Sequence, residues 1–319
     1  MIRNIVFGVA AMAMAVSAAI PAKAEIPCGT AKLIVPWGAG GDTDLIFRIL
    51  IESANKHGAK PQIQVINIGG QGGNKGAKEA VKAAPDGCTL FAIHQSAISS
   101  FLTGRVDFTW DAFEPVALMT RSPAIFGANP NVPYNNLTEL QAYAKEHPNE
   151  VLAGGTLGST SHFAMLELQE AMGVEFKHIS YEGTRERMTA LLANNIHLGE
   201  INLAAAKQYI QSGEIKALGI ATDERNSEIA DVPTAKEQGF DLLIGVDRGV
   251  MLPKGASPDV INYYIELFGT VANDADVKKQ MTEMGSSMPF TAGDDYRAYF
   301  EKTFGVWKKI AIKVGMYKG

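Results

Sequence analysis

The chain has 319 residues and a formal net charge of −5. Its length allows two domains of ordinary size, and its acidic balance argues against nucleic acid or an anionic membrane surface as a partner. Net charge does not attract an anionic ligand, so any anion site must be created locally.

The first 24 residues have the pattern of a secretory signal peptide. Arg3 gives a positive start, residues 5–20 are apolar without a charge, and Ala22 and Ala24 are small residues before a cleavage site. The alternative is a membrane anchor, but the apolar run is short for a span of about 20 residues. We predict cleavage after Ala24 and export to the periplasm. Loss of Arg3 and Lys23, and of no acid, takes the formal charge from −5 to −7.

Beyond the leader, short apolar strands alternate with helical patterns, which is typical of a sheet with helical crossovers. Strands are predicted at residues 32–35, 62–68, 89–94, 115–120, 124–128, 151–153, 175–179, 197–201, 215–222 and 242–246. Helices are predicted at residues 42–56, 75–84, 137–146, 161–172, 185–194, 204–212, 258–273 and 295–312. Asn136 is the expected N-cap of the helix that follows it.

The order of these elements predicts two α/β lobes. A strand, a glycine turn and a helix occur near Val35 and again near Ala153, without repetition of residue identity. The simplest assembly has two doubly wound sheets joined by a hinge that the chain crosses twice. One lobe takes residues 25–122 and 223–319, and the other takes residues 123–222. A cleft between hinged lobes is a usual site for a small molecule.

Two glycine-rich turns are suited to gripping a small anion. Residues 36–44 read Pro-Trp-Gly-Ala-Gly-Gly-Asp-Thr-Asp, and residues 154–162 read Gly-Gly-Thr-Leu-Gly-Ser-Thr-Ser-His. A strand, a glycine turn and a helix start bring unpaired backbone N–H groups and a positive dipole end together. We predict that both turns line one cavity and hold a carboxylate.

Two cysteines in an exported protein favour a disulfide. Cys28 precedes the first strand and Cys88 opens the third. The first and third strands of a doubly wound sheet are parallel neighbours, so both cysteines are expected at the same edge. The alternative is two buried free thiols.

Several segments, at family spacing and in order, resemble a known receptor family. They are Leu-Ile-Val-Pro-Trp-Gly-Ala-Gly-Gly at 33–41 with Asp44, and residues 70–74, 85–90, 113–117, 158–162, 181–183, 215–220, 231–234 and 253–255. The set resembles the solute-binding receptors of tripartite tricarboxylate transporters, the Bug or TctC family. It covers nearly the whole chain after the leader.

This resemblance implies a two-lobed, type II periplasmic binding-protein fold and delivery of a small organic carboxylate to a two-component membrane permease. Family ligands include di- and tricarboxylates, acidic amino acids and aromatic acids. In the family, the loops after the first strand of each lobe hold one ligand carboxylate, largely through backbone groups and ordered water. We predict a monomer with no cofactor, no metal and no catalytic residue.

Two departures from the family pattern bear on the ligand. Asp42 stands where glycine, serine or threonine is usual, and it repels a bound carboxylate unless it accepts a hydrogen bond from a ligand hydroxyl, ammonium or acid proton. Arg248 stands in a region that is often aromatic and is able to hold a second carboxylate. The predicted ligand-binding residues are Trp37, Gly40, Gly41, Asp42, Thr43, Gly158, Ser159, Thr160, His162, Tyr181, Asn202 and Arg248.

Plainer roles stay open for these residues. The glycines also permit tight turns, Asp42 and Thr43 are possible helix caps, and Arg248 is a possible surface ion-pair residue. His162 either donates to the ligand, orients a loop or packs. Asp44 is expected to be a structural acid in the first helical turn.

Other functions are less well supported by the sequence. The histidines form no His-x-x-x-His pair and no Cys-x-x-Cys occurs, so no metal site is predicted. A metal-free enzyme acting on a carboxylate is the alternative of a different class, with Asp42 or His162 as the base. A sensor subunit that presents its liganded form to a membrane signalling protein is a third possibility.

Overall fold

The computed structural model describes residues 26–181 and 183–318. The predicted signal peptide, residues 1–24, lies outside the described residues. Within the described ranges, no helix combines the length and the hydropathy that crossing a membrane needs.

Strands and helices alternate along the described chain. The strands are β1 (Thr30–Val35), β2 (Gln62–Asn67), β3 (Thr89–Ile93), β4 (Phe113–Pro123), β5 (Ile125–Ala128), β6 (Leu152–Gly155), β7 (Lys177–Ser180), β8 (Leu198–Ile201), β9 (Lys216–Ile220), β10 (Gly245–Pro253) and β11 (Thr291–Ala292). The helices are α1 (Asp42–Lys56), α2 (Asn74–Val81), α3 (Ser96–Leu102), α4 (Leu137–Glu146), α5 (Thr160–Met172), α6 (Thr184–Leu192), α7 (Leu203–Gln211), α8 (Pro258–Asn273), α9 (Ala275–Glu283) and α10 (Gly293–Lys313).

These elements form two lobes, each built on one mixed sheet. The sheet of the first lobe has the strand order β11-β4-β10-β3-β1-β2, and the sheet of the second has the order β7-β6-β8-β5-β9. In both sheets three parallel strands are continued by antiparallel ones. The glycine turns follow β1 and β6, the middle strands of the two parallel sets. This confirms the predicted two-lobed α/β fold.

Each sheet carries apolar cores on both faces. Along β1, Leu33 and Val35 pack with residues of α1 and α8, whereas Ile34 packs with residues of α2 and α10. In the second lobe, Phe126 and Ile125 likewise enter different cores. This alternation follows from the two-residue period of a strand, and it explains why the inner strands β3 and β5 are buried along their whole length.

The packing moves the boundary between the lobes. Phe240, Leu242 and Ile244 are buried in a core of the second lobe, together with Phe126. Segment 223–244, which the sequence assigned to the first lobe, therefore packs with the second. The chain returns to the first lobe near Gly245, because β10 begins there rather than at the predicted residue 242.

A two-stranded ribbon connects the lobes. β4 and β10 pair antiparallel from Phe113 opposite Pro253 to Pro123 opposite Gly245. The amide of Ala124 then donates to the carbonyl of Ile244 at 2.8 Å, which carries the pairing into the second lobe. A Cβ atom on Gly245 would lie 2.4 Å from the carbonyl oxygen of Ser122, so this crossing requires glycine.

The predicted disulfide is confirmed. Cys28 and Cys88 are bonded, and their Cα atoms lie 5.9 Å apart. The amide of Lys32 donates to the carbonyl of Cys88, which fixes the third strand beside the first. The bond therefore ties the start of the described chain to the centre of the first sheet.

Replacing Cys28 and Cys88 together with serine is expected to lower the free energy of unfolding by about 2–4 kcal/mol, because the bond closes a long loop in the unfolded chain. The sequence separation is 60 residues. Urea denaturation with and without reductant measures the loss. Reductant should destabilise the wild-type protein and leave the double variant unchanged; equal stability of both proteins without reductant would contradict the expectation.

A second contact between the lobes lies along α10. The indole Nε1 of Trp307 donates to Glu167 Oε1 of α5 at 2.8 Å, and its rings stack on Phe163 with centroids 4.5 Å apart. Lys313 and Glu170 form an ion pair beside it. Burial raises the pKa of the Glu167 carboxyl to about 7, although the bond from Trp307 opposes the shift.

We expect this carboxyl to make stability depend on pH. The folded pKa lies above the unfolded one, so the stabilisation is complete below about pH 4.5 and is lost as the pH rises through about 7. Its size is about 1–2 kcal/mol after allowance for partial exposure. Urea denaturation across this range should show the decline in the wild-type protein and a flatter profile in Glu167→Gln. Parallel profiles would contradict the assignment.

Candidate ligand-binding cleft

The first glycine turn is held in place by Asp44. Its Oδ2 accepts the amide of Gly40 at 2.8 Å and Nε of Arg48 at 3.0 Å, and its Oδ1 accepts Nδ2 of Asn67 at 2.8 Å. Burial raises the pKa of the Asp44 carboxyl, but these bonds outweigh it and hold the pKa below its usual value. Asp44 therefore has the predicted structural role, and Gly41 serves as the N-cap of α1.

The second glycine turn is fixed by bonds from the start of α5. Nδ1 of His162 accepts the amide of Gly158 at 3.1 Å, and Oγ of Ser161 accepts the amide of Thr156 at 3.0 Å. Gly158 has φ +71°, a conformation that favours glycine. Its carbonyl accepts a hydrogen bond from Arg105 of the first lobe. The turn is thus tied both to its own helix and to the facing lobe.

Each helix start that follows these turns contacts the facing lobe, at the boundary between the lobes that we call the cleft. The Nδ2 of Asn202, at the N-cap of α7, donates to Oδ2 of Asp42, the first residue of α1. Thr160, the first residue of α5, has its hydroxyl 3.2 Å from Nδ1 of His94, at the end of β3. Both contacts join the first lobe to the second beside a glycine turn.

Arg248 is buried in the wall of this cleft. Its Nε donates to Thr43 Oγ1 at 2.9 Å, and its Nη1 donates to Ser122 Oγ at 2.7 Å and to the carbonyl of Val246 at 3.3 Å. Only 3% of the residue is exposed. Burial lowers the pKa of the guanidinium, and the charges of nearby carboxylates, that of Asp42 foremost, oppose this. Among the described residues, no carboxylate forms an ion pair with it.

A buried ion pair lies on the opposite side of the cleft. Nη2 of Arg187 is 2.8 Å from Glu200 Oε2, and its Nε donates to the Glu200 carbonyl at 2.9 Å. Burial lowers the pKa of the guanidinium and raises that of the carboxyl, against the attraction between the two charges. The Asp42 and Arg248 charges both act on Glu200, so these four groups belong to one electrostatic cluster.

His94 connects the first glycine turn to this cluster. Its ring stacks on Trp37 with centroids 4.9 Å apart, and its Nδ1 accepts the amide of Ser96 at 3.2 Å. Burial, assisted by the positive charge of Arg248, lowers the pKa of His94 to about 3. The ring is therefore neutral with its proton on Nε2, and the Thr160 hydroxyl is the donor in the contact across the cleft.

The described residues contain no group of three or more His, Cys, Asp or Glu side chains arranged to hold a metal ion.

Comparison with known proteins gives the chain a family. The family model described as tripartite tricarboxylate transporter family receptor matches residues 46–316. The chain belongs to this receptor family. A relative encoded in the gbd 5′ region of Cupriavidus necator is 29% identical over 320 residues, which cover 98% of this chain and 96% of that protein. The matched range begins after Asp42, so the first glycine turn lies outside the family model but within the span of this relative's alignment.

Solved structures extend the likeness to the fold. The periplasmic binding protein BugD has a TM-score of 0.79 at 27% identity, over 91% of this chain and 99% of its own. MatC of Rhodopseudomonas palustris, with bound malate, has a TM-score of 0.78 at 26% identity, over 88% of this chain and 98% of its own. This TctC-family chain is a periplasmic solute-binding receptor.

The structure separates the predicted site residues of this receptor into two sets. Some make contacts between the lobes or contact the residues that do, or contact the buried Arg248: Trp37, Asp42, Thr43, Gly158, Thr160, Asn202 and Arg248. Gly40 and Gly41 shape the first turn beside them. The alternative in which Arg248 is a surface ion-pair residue is wrong, because the side chain is buried.

His162, Tyr181 and Ser159 act on the second turn from within its own lobe. Besides accepting the Gly158 amide, His162 meets His178 edge-on with ring centroids 4.7 Å apart, so it orients the loop. The carbonyl of Tyr181 accepts the hydroxyl of Thr156 at 2.6 Å. Oγ of Ser159 lies 3.1 Å from that of Ser161.

Sequence reasoning missed four side chains of the cleft, namely His94, Arg187, Glu200 and Ser122. Two of them had a usable signal. His94 immediately follows β3, and Glu200 is the penultimate residue of the strand β8, so both lie at strand ends where ligands of open α/β sheets bind. Arg187 and Ser122 gave no such signal. Arg187 pairs with Glu200 on a separate element, and Ser122 accepts from Arg248 on β10, the strand that returns from the other lobe.

Proposed function

We propose that this receptor captures a small organic carboxylate between its lobes and delivers it to a membrane permease of the tripartite tricarboxylate type. The observation that carries the proposal is the buried guanidinium of Arg248, whose hydrogen bonds go to uncharged oxygens. A buried charge without an ion-pair partner is costly. A ligand carboxylate that accepts from the remaining guanidinium N–H groups supplies the missing partner.

The two helix starts add to this anion site. The first backbone amides of α1 and α5 have no acceptor within their own helices, and both helix dipoles present a positive end there. Asp42 and Thr160, the first residues of these helices, lie at the cleft. MatC, a relative of similar fold, was solved with malate, which supports a small carboxylate as the ligand class.

The histidines favour binding without turnover. Burial, with the charges of His178 and Arg105, lowers the pKa of His162 to about 3, and its Nδ1 already accepts the Gly158 amide. It is therefore a poor general base. His94 is held neutral in the same way.

The first test is a thermal-shift screen of the purified mature protein against di-, tri-, amino and aromatic carboxylates, followed by calorimetry on those that shift the melting temperature. A ligand that binds with one-to-one stoichiometry and is recovered unchanged supports the proposal. Conversion of the ligand to a product would instead favour the metal-free enzyme. If none of these acids binds, the proposed function is wrong.

Delivery needs a second measurement. Uptake of the labelled ligand is compared in cells with and without the receptor gene, and with and without the permease. We expect uptake to require both. Uptake that is independent of the receptor, although binding is intact, would favour the sensor function.

A further inference from the structure

The four groups of the Asp42, Arg248, Arg187 and Glu200 cluster carry two negative and two positive charges, while Arg105 lies apart from them at the second glycine turn. Asp42 and Arg248 belong to the first lobe, and Arg187 and Glu200 belong to the second. Arg187 and Glu200 are satisfied by each other, at 2.8 Å and with exposed fractions of 3% and 5% for the two side chains. Within this cluster of four, the groups left to meet a ligand are therefore one carboxylate, Asp42, and one guanidinium, Arg248.

Asp42 and Arg248 do not neutralise each other by direct contact. Arg248 donates to the hydroxyl of Thr43, the neighbour of Asp42 in the first turn of α1. Asp42 accepts a hydrogen bond from Asn202 of the facing lobe instead. The two opposite charges thus belong to the same lobe and meet the first turn of α1 at neighbouring residues, each with bonding capacity left.

This arrangement discriminates between ligand classes by charge. A plain dicarboxylate brings only negative charge beside Asp42, and like charges repel strongly away from water. An ammonium group beside Asp42 and a carboxylate beside Arg248 bring no net charge and satisfy both side chains.

From this charge balance, and on the basis of the proposed function, we infer that the ligand is a zwitterionic α-amino acid. Its ammonium donates to the Asp42 carboxylate, and its carboxylate accepts from Arg248. Asn202 orients the Asp42 carboxylate from the second lobe, so closure of the cleft fixes the acceptor for the ammonium.

The test compares acids that differ only in the amino group. Calorimetry with the mature protein uses L-aspartate against succinate, L-glutamate against glutarate, and L-phenylalanine against 3-phenylpropionate, after a thermal-shift screen of the proteinogenic amino acids. L-malate, which has a neutral hydroxyl in place of the ammonium of aspartate, is a further arm. In whichever pair binds, we expect the amino acid to bind at least ~10-fold more tightly than its des-amino partner. If aspartate binds, we expect the same margin over L-malate.

Asp42→Asn is then expected to weaken binding of the amino acid by at least ~10-fold and to spare or improve binding of the des-amino acid. Asp295→Asn, an equal charge change at an exposed position of α10, should change neither affinity. Asp42→Asn should therefore lower the ratio of the affinity for the amino acid to the affinity for the des-amino acid. A general loss of folding would weaken the binding of both acids and would not change this ratio.

The outcomes separate the two proposals. If succinate, glutarate, 3-phenylpropionate or malate binds as tightly as its amino counterpart, and Asp42→Asn leaves the ratio unchanged, the ammonium assignment is wrong and carboxylate capture stands. If neither the paired acids nor the wider carboxylate screen gives binding, both proposals fail.

Discussion

Replacing Arg248 with methionine is expected to weaken ligand binding by at least ~100-fold, because the substitution removes the cationic side chain that a buried ligand carboxylate meets in the first lobe. Methionine is flexible enough to fill the space left by the guanidinium stem. Isothermal titration calorimetry with the tightest ligand of the screen measures the effect, and circular dichroism with thermal melting confirms the fold.

Two further variants make the result specific. Arg248→Lys keeps the charge but loses the planar fork, so it should bind more weakly than wild type and more tightly than Arg248→Met. Arg225→Met removes an equal charge from an exposed ion pair with Glu237 in the second lobe and should leave affinity unchanged. If the folded Arg248→Met protein binds as well as Arg225→Met, Arg248 does not contact the ligand.

Replacing Arg187 with methionine is expected to destabilise the protein by about 3–5 kcal/mol, because Glu200 is then left buried without its partner. The loss should shrink at low pH, where Glu200 takes up a proton. Burial already raises the pKa of this carboxyl, and removing the guanidinium raises it further. Urea denaturation at several pH values measures both effects.

The control experiments replace both partners of the buried pair and compare it with an exposed ion pair. Arg187→Met with Glu200→Gln should recover most of the loss, since no buried charge stays unpaired. The pair of Arg225 and Glu237 is 45% exposed at both side chains, and its removal should cost less than about 1 kcal/mol. A similar cost for the two arginine variants would show that burial does not govern the Arg187 pair.

The sequence predicted the elements that carry local signals. The bounds of α1, α4 and α8 agree with the predicted helices, and Asn136 caps α4 by accepting the amide of Glu139 at 2.8 Å. The helix α3 was missed, because Ser99 and Leu102 are both buried and the segment has no polar face to give a helical period. The short helix α9 was also missed, although Asp274 is its N-cap.

The site was predictable where it depends on the backbone and unpredictable where it depends on distant pairings. The glycine turns and helix starts identified Asp42, Thr43 and Asn202, because caps and turns are local. The register of β10 on β4 decides that Arg248 faces Thr43 while its neighbour Asp247 binds Arg121 at 2.7 Å on the other side. That register depends on a strand that returns from the other lobe, so no local pattern reveals it.

The ribbon of β4 and β10 also has a kinetic consequence. Arg248 lies only three positions beyond Gly245, where the chain re-enters the first lobe. In a hinge motion about this ribbon, Arg248 would lie close to the pivot and would be displaced less than Asn202 and Thr160 of the other lobe. We expect a ligand carboxylate to bind first at Arg248, so that the association rate constant depends on how far the lobes open to expose this buried side chain. The dissociation rate constant then depends on the stability of the contacts that the second lobe makes over the bound ligand.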